Sequence, residues 1–452
     1  MIGIGGISMS GIAMMLKDNG FEVSGSDTSK NDMVEILEKA GISVHIGHNP
    51  ELIKDSDIVV YTAAIPDNDI ELVEAKRLNK PTYERARFLG LLLKNYRKPI
   101  CIAGMHGKTT TTSMIIDVFK DLNLNPTALV GSKLKELGNL NYCIGSNEYF
   151  VLEACEYVDS FLNFPPQTAI ILNIEEEHLD YFKNLENILK SFKKFILMLP
   201  ENGNLIINKD DENCMSVIDG IKDNLLEKHV KILTYSVIDN TASIFADNIL
   251  LNKNGCYEFD VYIHERKELH ASLSAPGKHN VLNALSTIGT VYANNLNVLK
   301  SVNSLQNFTG AGRRFEYKKT IGKNVNIYDD YAHHPTEIRA TLDSARDKTK
   351  NNVIAVFQPH TYSRVKTLLN EFVTAFDKAD TVILTDIYSA REKDDGTVSS
   401  KMLVDKLIEH GVNAFYISSF EDIAIKINEI IKPNDIVLTI GAGTITNLSD
   451  LL

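Results

Sequence analysis

The chain of 452 residues has no tryptophan, only five cysteines, and no cysteine pair spaced as CxxC. Cys101, Cys143, Cys155, Cys214 and Cys256 are scattered and odd in number, which argues against a disulfide framework or a structural zinc site. Reduced thiols and a cytoplasmic location are expected. No apolar run approaches the ~20 residues of a membrane span, so no membrane contact is expected. The glycine-rich N-terminus lacks a basic leader and does not read as a signal peptide. There is no dense Lys/Arg tract, and the formal charge of −12 speaks against a nucleic-acid surface. Internal repeats and low-complexity tracts are missing too. What remains is an ordinary globular composition, 44% hydrophobic and 23% charged, in a chain long enough for several cores.

Short apolar runs alternate with helical patterns, which signals parallel α/β architecture. The stretch GMHGKTTTT, residues 104–112, is a phosphate loop two residues shorter than the usual Walker form, with Gly104 and Gly107 before Lys108. The run Pro99 to Ala103 reads as a buried strand before it. Met114, Ile115, Val118, Phe119 and Leu122 recur at helical spacing after it. In that context backbone N–H groups at a helix start face an anion, Lys108 adds charge, and Thr109 offers a hydroxyl to magnesium. An ordinary strand–helix turn is the competing reading, and Gly-Lys-Thr-Thr argues against it. The opening MIGIGGISMSGIA reads as a dinucleotide-type turn at Gly3, Gly5 and Gly6, with Ser8 where a third glycine belongs and Asp27 ending the next strand. Its amides recognise pyrophosphate, so a nucleotide sugar fits as well as a nicotinamide nucleotide. Polar LKNYRKP and glycine-bearing FTGAGRRFE mark two boundaries. The expected fold is α/β in three domains: a Rossmann-like one over 1–97, a central phosphate-loop ATPase-like sheet over 98–311, and a C-terminal Rossmann-like one over 312–452.

Polar residues gather past the strand ends. Glu153 and Glu156 follow one strand; Asn173, Glu175 to Glu177, His178 and Asp180 follow another. Oxygen-rich groups beside a phosphate loop suit magnesium, although two of the three glutamates read best as solvated. Asn280 and Asn283 share a helical face and could meet adenine or serve as caps. DDYAHHPTE, residues 329–337, packs acids, a tyrosine and two histidines after a strand, which is a site signature.

Together GIGGISMSGIA, GMHGKTTTT, EACEYVDSFL, NIEEEHLDYF, GKHNVLNA, GAGRRFE, DDYAHHPTE, FQPHTYSR and GAG, in that order, resemble the Mur ligase family over essentially the whole chain. DDYAHHPTE and FQPHTYSR resemble the member that joins L-alanine to UDP-N-acetylmuramate. The resemblance implies ATP and Mg2+ as cofactors and an acyl-phosphate route, in peptidoglycan precursor synthesis. It assigns ATP to Gly104, Gly107, Lys108, Thr109, Thr110, Asn280, Asn283 and Arg314. Magnesium falls to Thr109, Glu156 and His178, and the UDP-sugar to Gly5, Gly6, Ser10 and Asp27. Tyr331, His333, His360 and Arg364 would line the amino-acid pocket, with Lys108, His333, His360 and Arg364 taking catalytic roles. His333 is the choice for accepting the ammonium proton of alanine. Many relatives carry arginine directly after FQPH; Thr361 stands here, which leaves Arg364 to hold the alanine carboxylate. A monomer or homodimer is expected. Competing readings are a murein-peptide recycling ligase or folylpolyglutamate synthase of the same superfamily, a nicotinamide dehydrogenase, and a non-catalytic nucleotide-binding subunit.

Overall fold

The computed structural model describes every residue except Lys135, Glu136 and Arg391; the side chain of Asp180, placed by sequence near the magnesium residues, also lies outside the described part. The chain forms two compact units. The first comprises Met1–Asp247, Val261–Leu269 and Leu282–Leu305; the second comprises Asn248–Asp260, His270–Val281 and Gln306–Leu452.

The apolar run after Lys98 forms strand Lys98–Ala103, whose residues from Pro99 onward are all buried. Burial on both faces is why it reads as a continuous hydrophobic run and not as an alternation. It pairs in parallel with Tyr149–Glu153 on one side and Thr168–Ile171 on the other. The ten-stranded sheet runs, edge to edge, through Arg266–Pro276, Cys256–Ile263, Ile244–Leu251, Lys231–Ser236, Asn204–Asn208, Thr168–Ile171, Lys98–Ala103, Tyr149–Glu153, Thr127–Leu134 and Leu140–Cys143. Strand Leu140–Cys143 is antiparallel to its neighbour. Buried Phe161, Phe192, Phe195, Ile171 and Leu205 belong to the core beneath it.

The N-terminal turn leads into helix Ile7–Asp18, which packs against Thr127–Leu134 and Leu140–Cys143. A Cβ on Gly11 would lie 2.6 Å from Leu129 Cδ1 and 2.9 Å from Asn141 Nδ2. The glycine needed for close approach therefore stands three residues beyond Ser8, which explains the departure from the usual glycine fingerprint. Two parallel pairs, Ser24–Asp27 with Ser43–Ile46 and Val59–Tyr61 with Thr82–Glu84, are joined by Ile2, which bridges to Ser26 and Tyr61.

The second unit holds a six-stranded sheet in the order Glu316–Ile321, Val325–Asp330, Ile436–Ile440, Val353–Phe357, Thr381–Leu384, Ala414–Tyr416. All pairings are parallel except the first hairpin. Three adjacent central strands deliver DDYAHHPTE, GAG and FQPHTYSR to one carboxyl edge, where ligands of open α/β sheets collect.

Candidate active site

Helix Lys108–Asp121 begins directly after Gly107, whose φ of +85° lies in the left-handed region; a Cβ there would meet Asn283 Oδ1 at 2.8 Å. Only glycine serves both conditions. Asn173, at the end of the neighbouring strand, braces the loop: its Oδ1 accepts the His106 N–H at 2.8 Å and its Nδ2 donates to the His106 carbonyl at 3.0 Å. Thr109 and Thr110 are buried in the first turn. The Lys108 ammonium folds back over the loop, donating to the carbonyls of Gly104 and, at 3.2 Å, Met105, and to Glu156 Oε2 at 3.0 Å. Burial opposes its charge, but Glu156 foremost, with Glu177 nearby, more than offsets this and holds the lysine above its ordinary value.

Glu156 is fully buried at the end of strand Tyr149–Glu153. Burial would neutralise it; Lys108 and then His178 outweigh that and hold the carboxyl down at about 2. Its Oε1 has no hydrogen-bond partner among the described residues, and His178 Nε2 lies 3.4 Å from it. Ligand atoms of Glu156, Glu177 and His178 all lie within 4.8 Å of one another. A buried carboxylate oxygen without a hydrogen, facing a second carboxylate and an imidazole, suits a hard divalent cation. Of the three glutamates in the run, Glu176 is exposed and Glu177 joins the cluster.

Beside this constellation lies a cavity of about 350 Å³ whose lining includes Gly6, Ser8, Thr62, Arg85, Glu153 and Cys155. Arg85 donates to the Ser8 hydroxyl at 3.3 Å. Gly6 is thus at the cavity, while the other residues expected at the nucleotide sugar are differently engaged. Gly5 donates its N–H to Asp27 Oδ2 at 2.8 Å, and Ser10 is fully buried with its hydroxyl on the Ile7 carbonyl. Arg85 and Ser8 escaped sequence reasoning, although a basic residue opening a helix after strand Thr82–Glu84 was a readable signal.

Asn283 accepts the Thr111 hydroxyl at 3.2 Å in the first unit, and Asn280 donates to the Pro276 carbonyl at 2.6 Å in the second. Neither is a helix-capping bond, which would run from a main-chain N–H to the side-chain oxygen.

In the second unit the expected amino-acid residues do gather. His333 and His360 meet edge to face with ring centroids 5.6 Å apart, Tyr331 lies 5.5 Å from His333, and His360 stacks on Tyr388 at 5.7 Å. Arg364 Nη1 lies 3.0 Å from His360 Nδ1. A guanidinium only donates, so this nitrogen accepts and the neutral ring carries its proton on Nε2. Burial, then His333 and Arg364, push His360 down to about 4. His333 Nδ1 lies 3.0 Å from the Tyr331 carbonyl and 3.4 Å from Glu337 Oε2, so this nitrogen carries a proton. Arg313 and Arg314 both lie over the Tyr331 ring, and Arg314 stands 4.0 Å from Glu337. Arg313, which the sequence did not single out, bonds Asp329 and the Gly441 and Gly443 carbonyls, tying GAGRRFE to the GAG turn. Thr361 adopts φ 65°, ψ 141°, strained for a β-branched residue, and its N–H bonds the Tyr388 carbonyl.

Three family models match the chain: "Mur ligase family, catalytic domain" over residues 1–97, "Mur ligase middle domain" over 102–291, and "Mur ligase, glutamate ligase domain" over 313–443. A UDP-N-acetylmuramate–L-alanine ligase of Caldicellulosiruptor saccharolyticus is 48% identical, across 100% of this chain and 97% of that protein. The like-named protein of Clostridium novyi is 46% identical, with coverage of 100% and 96%. Among solved structures, the UDP-N-acetylmuramate–alanine ligase MurC of Thermotoga maritima superposes with a TM-score of 0.83 at 28% identity, covering 99% of this chain and 96% of that one.

Proposed function

The chain belongs to the Mur ligase family, and we propose that it joins L-alanine to the lactyl carboxylate of UDP-N-acetylmuramate, consuming ATP and releasing ADP and phosphate. The observation that carries this reading is the placement, within one unit, of the phosphate loop, buried Glu156 with Glu177 and His178, and the adjoining Arg85 cavity. The lactyl oxygen attacks the γ-phosphorus of ATP, the bond to the β-phosphate oxygen breaks, and ADP leaves. The amine of alanine then adds to the acyl carbon of the mixed anhydride, and phosphate departs from the tetrahedral intermediate. Two anions must meet in the first step, so Lys108 and the N-terminus of helix Lys108–Asp121 neutralise charge there. Lys108 exchanges its contacts with loop carbonyls for phosphate oxygens. Glu156, Glu177 and His178, with Thr109 by its place in the motif, would hold Mg2+, which when bound neutralises phosphate charge. Gly104, Gly107 and Thr110 frame the triphosphate; Asn280, Asn283 and Arg314 are assigned to the nucleotide by motif position.

The diphosphate of the sugar nucleotide is assigned to the Gly3–Gly11 turn, with Ser8 and Arg85 added to Gly6, which lines the cavity. His333 accepts the ammonium proton of alanine at Nε2, neutral His360 shapes the pocket, and Arg364 holds the carboxylate. The division into domains at 1–97, 98–311 and 312–452, a monomeric or homodimeric state, and a cytoplasmic location that keeps five unpaired cysteines reduced complete the proposal.

Phosphate release measured with ATP, UDP-N-acetylmuramate and a panel of amino acids tests it. Turnover should require the sugar nucleotide and L-alanine together, and Lys108→Ala should lower kcat at least ~100-fold with the fold intact. Turnover with a murein tripeptide but not with L-alanine would assign the chain to the recycling ligases instead.

A further inference from the structure

His178 and Glu156 sit on separate segments, and left-handed backbone occurs at His178 itself and just after Glu156. His178 has φ 54° and precedes the short helix Leu179–Phe182; Glu156 precedes the turn Tyr157–Asn163, in which Val158 and Asp159 have φ 49° and 56°. Left-handed non-glycine residues cost free energy and persist only where surrounding contacts over-determine them. Tyr157 supplies one such contact, lying 4.5 Å from the His178 ring.

Asp159 supplies two more. Its Oδ2 accepts the Tyr181 hydroxyl at 2.8 Å, three residues beyond His178, and its Oδ1 accepts the hydroxyl of buried Ser191 on helix Leu185–Leu197. One carboxylate therefore ties the segment after Glu156 to the segment after His178 and fixes both to a helix of the core. Among the described residues, neither of its oxygens is offered to the cluster of Glu156, Glu177 and His178.

We propose that Asp159 is a positioning residue that sets the spacing of Glu156 and His178 for the divalent cation, acting as a strut through its hydrogen bonds with Tyr181 and Ser191. The inference rests on the reading of Glu156, Glu177 and His178 as cation ligands. Outer groups that orient ligands typically change metal affinity 10- to 100-fold when lost.

Mn2+ titration of the full chain by electron paramagnetic resonance tests this without requiring turnover. Asp159→Ala should weaken Mn2+ binding at least ~10-fold, while ADP binding in EDTA stays unchanged. Asp159→Asn should retain affinity within about threefold, because its carbonyl still accepts from Tyr181 and its amide can donate to Ser191 Oγ. Tyr181→Phe should weaken binding, and combining it with Asp159→Ala should add little more. Wild-type affinity in Asp159→Ala overturns the proposal, as does an Asn variant as weak as Ala, which would mean that charge and not geometry matters. If Asp159→Ala fails to fold, the Asn and Phe variants decide the matter alone. Unaltered Mn2+ binding in Glu156→Ala would instead sink the ligand assignment itself.

Discussion

At His360, burial and the adjacent His333 and Arg364 hold the imidazole at about 4, well under the ordinary histidine value near 6.5. The unfolded chain therefore binds a proton between these values that the folded chain refuses. Stability contributed by the neutral ring is present above pH ~6.5, declines as pH falls, and levels off below about 4. Arg364 is one cause of that depression and also the assigned partner of the alanine carboxylate, so Arg364→Ala should do two things. The His360 titration followed by NMR should move upward, and KM for alanine should rise far more than KM for ATP or the sugar nucleotide. The loss in kcat/KM should be on the order of 2–4 kcal/mol, the scale for leaving a charged partner without its counterion. An alanine KM within a few-fold of wild type would place the carboxylate site elsewhere. An unmoved His360 would break the link between the guanidinium and the ring.

Among the elements, turn Tyr157–Asn163 carries strain, because a β-branched residue occupies the left-handed region at Val158. Val158 is 41% exposed, so its side chain is only partly buried to compensate. Val158→Gly should stabilise the chain by about 1 kcal/mol, the relief of strain exceeding the flexibility gained by the unfolded state. A lowered urea midpoint would show that the conformation is not strained. This turn also shows what sequence can and cannot disclose. The phosphate loop, Glu156 and the DDYAHHPTE cluster were legible because each lies at or just past the end of an apolar strand, where an α/β sheet presents chemistry; His178, seven residues past its strand, reads alone as a loop histidine and took its role from the family resemblance. Asp159 was not legible, since its value lies in bonds to Tyr181 and Ser191, 22 and 32 positions away. Asn173 was visible as a strand-end polar residue, but its two-sided grip on His106 depends on sheet order that no local pattern encodes. Arg313, 130 positions from Gly443, was hidden for the same reason. Ser10 was expected to face a ligand and turned inward because Gly11 seats its helix directly on the sheet.

For the whole chain, the two large sheets are built from strands with consecutive ladder partners, whereas the N-terminal strand pairs are joined by the short segment from Met1 to Ile4, in which Ile2 bridges to Ser26 and Tyr61. The connection amounts to a few main-chain bonds: Ile2 to Val60 at 2.8 Å, Thr62 to Ile2 at 3.2 Å, Gly3 and Ile4 to Ser26 at 2.9 and 3.0 Å, and Ser26 to Met1 at 2.9 Å. Regions held by few bonds open locally, with a free energy below that of global unfolding. In deuterium-exchange mass spectrometry, peptides carrying Ile2, Ser26 and Thr62 should label much sooner than those carrying Ile100 to Ala103. Saturating UDP-N-acetylmuramate should slow that labelling, whereas NAD should leave it unchanged. Equal protection of the seam and the central strand in the free protein would refute this. On this expectation, a ligand that grips the glycine turn would change how often this part of the molecule opens without rearranging its average conformation.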